Sequence, residues 1–303
     1  MSKVFLITGA SRGLGRAIAE AAAAAGHRVL ATARRPQDLD DLVAAYSGAP
    51  DSSGDGSPDA PRGRVLAAAL DVTDAAAAQR AVAAAVEAFG RLDVLVNNAG
   101  YANLGSIEDT PLEDFRAQVE TNLLGVVTLT QAALPVLRRQ GGGHVIQVSS
   151  IGGRGAAPGL SAYQAAKWAV GGFSEVLALE TAGLGVKVTV LEPGGMQTDW
   201  AGSSMSEHPA GEVYEPLMAQ MRRLNDRLAS GGSASDPARV AQLVLRVAAM
   251  EQPPLRLLVG ADAVDIAATI ARRRAEEDAR WRELSLSVGR EDAAELDLSV
   301  LGH

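Results

Sequence analysis

The chain has 303 residues, 47% of them hydrophobic and 21% charged, enough for one large α/β domain or two small ones. Its formal net charge of −8 supplies no basic field for nucleic acid or an anionic membrane surface. With no cysteine there is no disulfide, thiol nucleophile or thiolate metal site, which fits a cytoplasmic protein.

The first apolar run, Val4–Thr8, is too short for the hydrophobic region of a signal peptide and reads as a strand. It leads directly into Thr8-Gly9-Ala10-Ser11-Arg12-Gly13-Leu14-Gly15, ahead of a helix near 14–25. Glycines here permit a tight turn and let backbone N–H groups reach a pyrophosphate at the helix amino terminus. Strand, glycine loop and helix in that order point to a dinucleotide site. The second strand, Arg28–Ala33, runs into Arg34 and Arg35, with no carboxylate before Asp38. A site selecting NAD usually places an acid here for the ribose 2′-hydroxyl, whereas guanidinium groups suit a 2′-phosphate. With Arg12 as a third cation the expected cofactor is NADP(H); a solvated basic turn is the minor alternative for each arginine taken alone.

A helix near 37–46 is followed by residues 47–63, SGAPDSSGDGSPDAPRG, which hold no large apolar residue and read as a flexible surface insertion. Asp51, Ser53, Asp55 and Gly56 imitate half a calcium loop, but Arg62 stands where the bidentate glutamate is needed, so no metal is expected. Strands Val65–Leu70, Leu92–Asn97, His144–Ser149, Val186–Leu191 and Leu255–Val259 then alternate with helices near 74–88, 111–139, 161–182 and 236–250. Near-continuous apolar strands joined by helices imply a single α/β domain, a doubly wound seven-stranded parallel sheet with helices on both faces. In this reading residues 1–260 form the dinucleotide-binding catalytic domain and 261–303 a C-terminal helical extension. No uncharged apolar run approaches the roughly 18 residues of a membrane span.

Tyr163 and Lys167 are four residues apart, hence on one helix face one turn apart. A free phenol, with a pKa of about 10, is a poor proton carrier near neutrality. A neighbouring ammonium favours the phenolate, so Tyr163 is expected to titrate well below its ordinary value. Residues 200–235 lack strand character and carry Trp200, Met205, His208, Tyr214, Met218 and Met221. Either a helical packing element or a mobile lid over a substrate fits them.

With these residues assembled, the chain from about residue 3 to 200 resembles the short-chain dehydrogenase/reductase family, its motifs standing in the family's order. TGASRGLG at 8–15 is similar to the cofactor fingerprint, and Asp71-Val72 to the adenine contact. Asn97-Asn98-Ala99-Gly100 resembles the element that closes the fourth strand beside the cofactor. Pro193-Gly194, Met196 and Thr198 resemble the turn that holds the nicotinamide carboxamide. Asn122, Ser150, Tyr163 and Lys167 match the catalytic tetrad. Ser150 is preferred to Ser149 because the family's serine precedes its tyrosine by about thirteen positions, as Ser150 precedes Tyr163.

The resemblance implies a Rossmann-type fold and an NADPH-dependent oxidoreductase, a carbonyl reductase or ketoreductase moving hydride between NADP(H) and a ketone or aldehyde. Ser150 would hydrogen-bond the carbonyl and Tyr163 would donate the proton. Lys167 would lower the tyrosine's pKa and bind the nicotinamide ribose, and Asn122 would hold a water. A 3-oxoacyl-thioester reductase, an NAD-linked alcohol dehydrogenase and a non-enzymatic NADP(H) sensor are the alternatives. The complete tetrad argues against the sensor, and the lack of a dense basic patch against an acidic carrier protein. The region beyond residue 200 is similar to the hydroxysteroid-dehydrogenase-like subgroup. Tyr101, Gly152, Arg154, Met196 and Trp200 are the expected substrate-pocket residues, suited to an apolar or aromatic carbonyl. Family members commonly pair through the helices corresponding to 111–139 and 161–182, so a homodimer or homotetramer is expected.

Overall fold

The computed structural model describes residues 2–47, 63–196, 205–230 and 234–289, with the backbone alone at 225 and 228–230. At its centre is β1 (Val4–Ile7), buried at every position. A strand's side chains alternate between faces, so an unbroken apolar run serves two cores at once. Phe5 and Ile7 enter one core with Ile18, Ala22, Val240 and Val244. Val4 and Leu6 enter the other with Ala78, Val82, Leu129 and Leu177. The first core lies under α1 (Gly13–Ala24) and α8 (Pro237–Ala249), and the second under α3 (Ala75–Phe89), α5 (Gly125–Arg139) and α6 (Ser161–Thr181). The alanines of α1 and α3 thus let the helices settle closely on the sheet.

Seven parallel strands make the sheet: β1, β2 (Arg28–Ala33), β3 (Arg64–Ala69), β4 (Val94–Asn97), β6 (Gly143–Val148), β7 (Val186–Pro193) and β9 (Arg256–Val259). Their order is β3-β2-β1-β4-β6-β7-β9. The chain winds outward from β1 to β3 and then crosses to β4, so a crevice opens between the carboxyl ends of β1 and β4. Asp74 caps α3 by accepting from the N–H groups of Ala76 and Ala77, and Asp236 caps α8 in the same way through Ala238. α2 (Asp40–Tyr46) completes the first face, burying Leu42.

Two expectations need correction. Residues 200–235 do contain strand: β8 (Met205–Glu207) pairs in parallel with β5 (Ala102–Leu104) as a separate two-stranded sheet. Three-residue strands are too short to show a period, and each exists through the other. The helix expected over 111–139 is interrupted: α4 (Leu112–Val119) and α5 are joined by a π-helical turn, Glu120–Leu124. Asn122 Nδ2 donates to the Gln118 carbonyl at 2.9 Å, where a helical backbone N–H would ordinarily bond. The calcium-like stretch at 51–62 lies outside the described residues. Among those described, no helix is long and apolar enough to cross a membrane, and no group of acidic or histidine side chains could hold a metal ion.

His144, buried on β6, has Nε2 3.0 Å from Thr189 Oγ1 and no partner for Nδ1 among the described residues. Burial pushes its pKa from 6.5 down to about 3, aided by the charges of Lys187 and Lys3. Between those values the unfolded chain holds a proton that the folded protein does not, so stability falls as pH drops through that window. The slope contributed is up to about 1.4 kcal/mol per pH unit. His144→Leu is expected to flatten the acid limb of a Tm-versus-pH curve; an unchanged slope in thermal melts would refute this.

Candidate active site

A cleft of about 950 Å³ opens where β1, β4, β6 and β7 end. Its glycine-loop side is organised by Thr8, whose Oγ1 accepts from the N–H groups of Asn98 and Ala99, both at 2.9 Å. Asn98 Nδ2 returns bonds to the carbonyls of Thr8 and Gly9 at 2.9 and 3.2 Å. Asn98 therefore fastens the loop after β1 to the end of β4. Gly9, Ser11, Arg12, Gly13 and Leu14 face the cleft. Gly15 does not: a Cβ there would stand 2.3 Å from the Gly9 carbonyl oxygen, so its role is close packing of α1 against the loop. No side chain caps α1 and no acid occupies its first turn, which leaves its amino terminus suited to an anion.

Farther along the wall lie Arg34, Asp71 and Val72, then Asn98, Ala99 and Gly100. Arg35 is off the wall, its guanidinium 3.0 Å from Asp38. Asp71 Oδ1 accepts from Thr73 N and Oγ1 at 3.0 and 2.7 Å, a local turn that holds its loop at the rim.

At the other end Ser150, Tyr163, Lys167 and Asn122 converge on the cleft. The Tyr163 phenol hydrogen-bonds Ser150, whose Oγ also accepts from Gly152 N at 3.0 Å. Lys167 Nζ donates to the Val148 carbonyl at 2.9 Å and sits 5.6 Å from the Tyr163 ring centroid. Ser149 Oγ donates to the Lys167 carbonyl at 3.3 Å, joining the end of β6 to α6. Asn122 Oδ1 accepts from Tyr101 N at 3.2 Å and Nδ2 donates to Tyr101 O at 2.8 Å, which fixes the end of the β4–β5 connection. A Cβ on Gly100 would lie 2.5 Å from Asn122 Oδ1 and 3.6 Å from Lys167 Nζ. Only glycine lets these groups approach.

The expected lowering of the tyrosine is reversed. Burial pushes Tyr163 up to about 12, opposed by its bond to Ser150. Burial also pulls Lys167 down to about 8. Withdrawal from water penalises both charged forms, phenolate and ammonium alike. The amine lies over the ring and bonds a carbonyl, and its attraction does not offset that penalty.

Residues 3–209 match the family model described as short chain dehydrogenase. The chain belongs to the short-chain dehydrogenase family. It is therefore an oxidoreductase of a family that uses nicotinamide cofactors and acts on CH–OH and C=O groups. It is 51% identical over 287 residues to Oxidoreductase BOA17 of Botryotinia fuckeliana, covering 95% of this chain and 99% of that one. The crystal structure of a short-chain dehydrogenase from Streptomyces avermitilis superimposes with a TM-score of 0.84 at 38% identity, covering 96% of this chain and 99% of that one. An alcohol dehydrogenase from Thermococcus sibiricus complexed with 5-hydroxy-NADP gives 0.68 at 26% identity, with 86% and 97% covered.

In this short-chain dehydrogenase the expected substrate residues divide. Tyr101 and Met196 line the cleft, whereas Trp200 lies outside the described residues, as does Thr198 of the expected nicotinamide turn. Gly152 is packed behind Ser150 against Gln164, the nearest atom to a Cβ there being 3.2 Å away. Arg154 is likewise off the wall: its Nε donates at 2.7 Å to Glu192, a fully buried carboxylate that also binds Arg256. A buried carboxylate needs such partners, so this arginine is committed to the interior.

The outer wall has residues that no local pattern marked. Asn103, Asp114, Ala117, Thr121 and Ser206 face the cleft, beside Met205 from the segment read as a packing element or lid. Asp114 Oδ2 receives Gln118 Nε2 at 2.8 Å and lies 3.0 Å from His208 Nε2. Ser206 N donates to Asn103 Oδ1 at 3.2 Å and His208 N to the Leu104 carbonyl at 2.9 Å. Met218 and Met221, on α7 (Glu215–Ser230), bury themselves against Leu104. The segment from residue 205 onward is thus clasped to the loop after β4 and forms the outer rim of the cleft.

Proposed function

We propose that this short-chain dehydrogenase is an NADPH-dependent carbonyl reductase acting on a ketone or aldehyde. The observation that carries the reading is one cleft with Ser150, Tyr163 and Lys167 at one end and the α1 amino terminus with Arg34 at the other. The α1 terminus suits a pyrophosphate and Arg34 a 2′-phosphate. Asp71 and Val72 edge the space between them for an adenine, and Pro193, Gly194 and Met196 edge the nicotinamide end. The 5-hydroxy-NADP bound by the Thermococcus sibiricus enzyme supports this choice of cofactor.

When bound, NADPH supplies the hydride to the carbonyl carbon. Ser150 Oγ donates a hydrogen bond to the carbonyl oxygen, where negative charge develops. Tyr163 gives that oxygen its proton. With a pKa of about 12 the phenol stays protonated throughout the physiological range, and the developing alkoxide is the stronger base. Lys167, as an ammonium, stabilises the phenolate left behind. Asn122 holds the π-helical turn and the Tyr101 backbone beside Lys167, shaping the route by which a water-borne proton returns.

NADPH consumption is the test, screened over ketones, aldehydes and acyl thioesters from neutral to alkaline pH. Burial places the Lys167 ammonium near 8 in the free protein, so kcat/KM for reduction should fall through an apparent pKa near 8. A rate that is flat well above that pH would remove the ammonium from the mechanism. No turnover on any carbonyl would remove the function.

A further inference from the structure

We propose that Asp262, in the first turn of α9 (Ala261–Arg280), is the positioning residue for the nicotinamide end of the cleft; this rests on the cofactor reading above. The Pro193–Met196 turn lies on the cleft wall, at the end of β7. Asp262 Oδ2 accepts from Gly195 N at 2.7 Å. Its Oδ1 is shut off from solvent and has no hydrogen-bond partner among the described residues. A Cβ on Gly194 would stand 2.2 Å from Oδ2 and 2.4 Å from Oδ1, so the turn can lie against the carboxylate only because residue 194 is glycine. On the far side a Cβ on Gly260 would be 2.7 Å from Oδ1.

Main-chain bonds complete the bracket. Gly194 N donates to the Val259 carbonyl at 3.1 Å and Ser235 N to the Gly195 carbonyl at 2.9 Å. Met196 forms an isolated bridge with Ser235. Both glycine N–H groups are therefore committed to the body of the protein, which leaves the turn one conformation on the cleft side. Shutting a carboxylate oxygen away without a partner is costly, and the α9 amino terminus offsets part of that cost. Such an arrangement is explained by what the other oxygen does. Asp262 is not on the cleft wall. It acts through the turn and is not itself a catalytic residue.

The test compares Asp262→Ala and Asp262→Asn with wild type, using NADPH and 2′,5′-ADP, which carries the phosphate end of the cofactor and no nicotinamide. Asp262→Ala should lose about tenfold or more in NADPH affinity and in kcat, with 2′,5′-ADP binding unchanged. Hydrogen exchange across residues 193–196 of the cofactor-free protein should be faster in that variant. Asp262→Asn retains an acceptor for Gly195 N and should recover to within about threefold of wild type. The proposal is overturned by a normal alanine variant, by equal weakening of both probes, or by failure of asparagine to rescue. A wild type that binds NADPH but reduces no carbonyl would sink the reductase reading instead, and the binding and exchange arms would still decide on Asp262.

Discussion

Tyr163→Phe is expected to cut carbonyl reduction by about 10³-fold or more while NADPH binds as in wild type. The substitution removes one oxygen. The ring keeps its buried place on α6 and its contact with Lys167, and Ser150 Oγ keeps the bond from Gly152 N. The proton for the alkoxide is lost, and among the described residues no other side chain bonds Ser150 Oγ. Ser149 lies next in sequence, but its Oγ is turned to the Lys167 carbonyl. The measurement is NADPH consumption under saturating substrate, with cofactor affinity determined separately by fluorescence. Retained turnover would show that the phenol is not the acid, and lost binding would show that the tyrosine holds cofactor rather than moving a proton.

The second large effect concerns cofactor choice. Arg34→Asp should shift the NADPH-to-NADH ratio of kcat/KM by about 10²-fold towards NADH. That corresponds to losing one charge-assisted contact of about 1.5–3 kcal/mol, and the new carboxylate can also accept from a ribose 2′-hydroxyl. Arg34 rather than Arg35 is the position to change. Arg35 spends its guanidinium on Asp38, whereas Arg34 stands exposed on the cleft wall, its charge felt by the Tyr101 phenol. A wild type that already prefers NADH, or a variant with an unaltered ratio, would refute the assignment.

Much of this site could be read without coordinates because its signals are local. The Tyr163–Lys167 spacing follows from helix geometry alone, and both side chains do reach the cleft. The glycine loop was legible from its place between an apolar strand and a helix. Arg35 and Arg154 show the limit of such reading. They were expected at the 2′-phosphate and in the substrate pocket, but each is engaged by a carboxylate, Asp38 and Glu192, that composition could not assign. The π-helical turn at Asn122 was hidden for a related reason, since it depends on one side chain's choice of the Gln118 carbonyl.

The sequence by itself determined the parallel α/β sheet, the order of its strands along the chain and the residues at their carboxyl ends. Those follow from hydrophobic period, turn chemistry and spacing, which act over a few residues. Only the tertiary structure decided the clasp between His208 and Asp114, 94 positions apart, and the hold of Asp262 on Gly195, 67 positions apart. It also decided the sign of the Tyr163 shift. Spacing brings an ammonium near the phenol, but burial is a property of the whole fold, and here withdrawal from water outweighs the nearby charge.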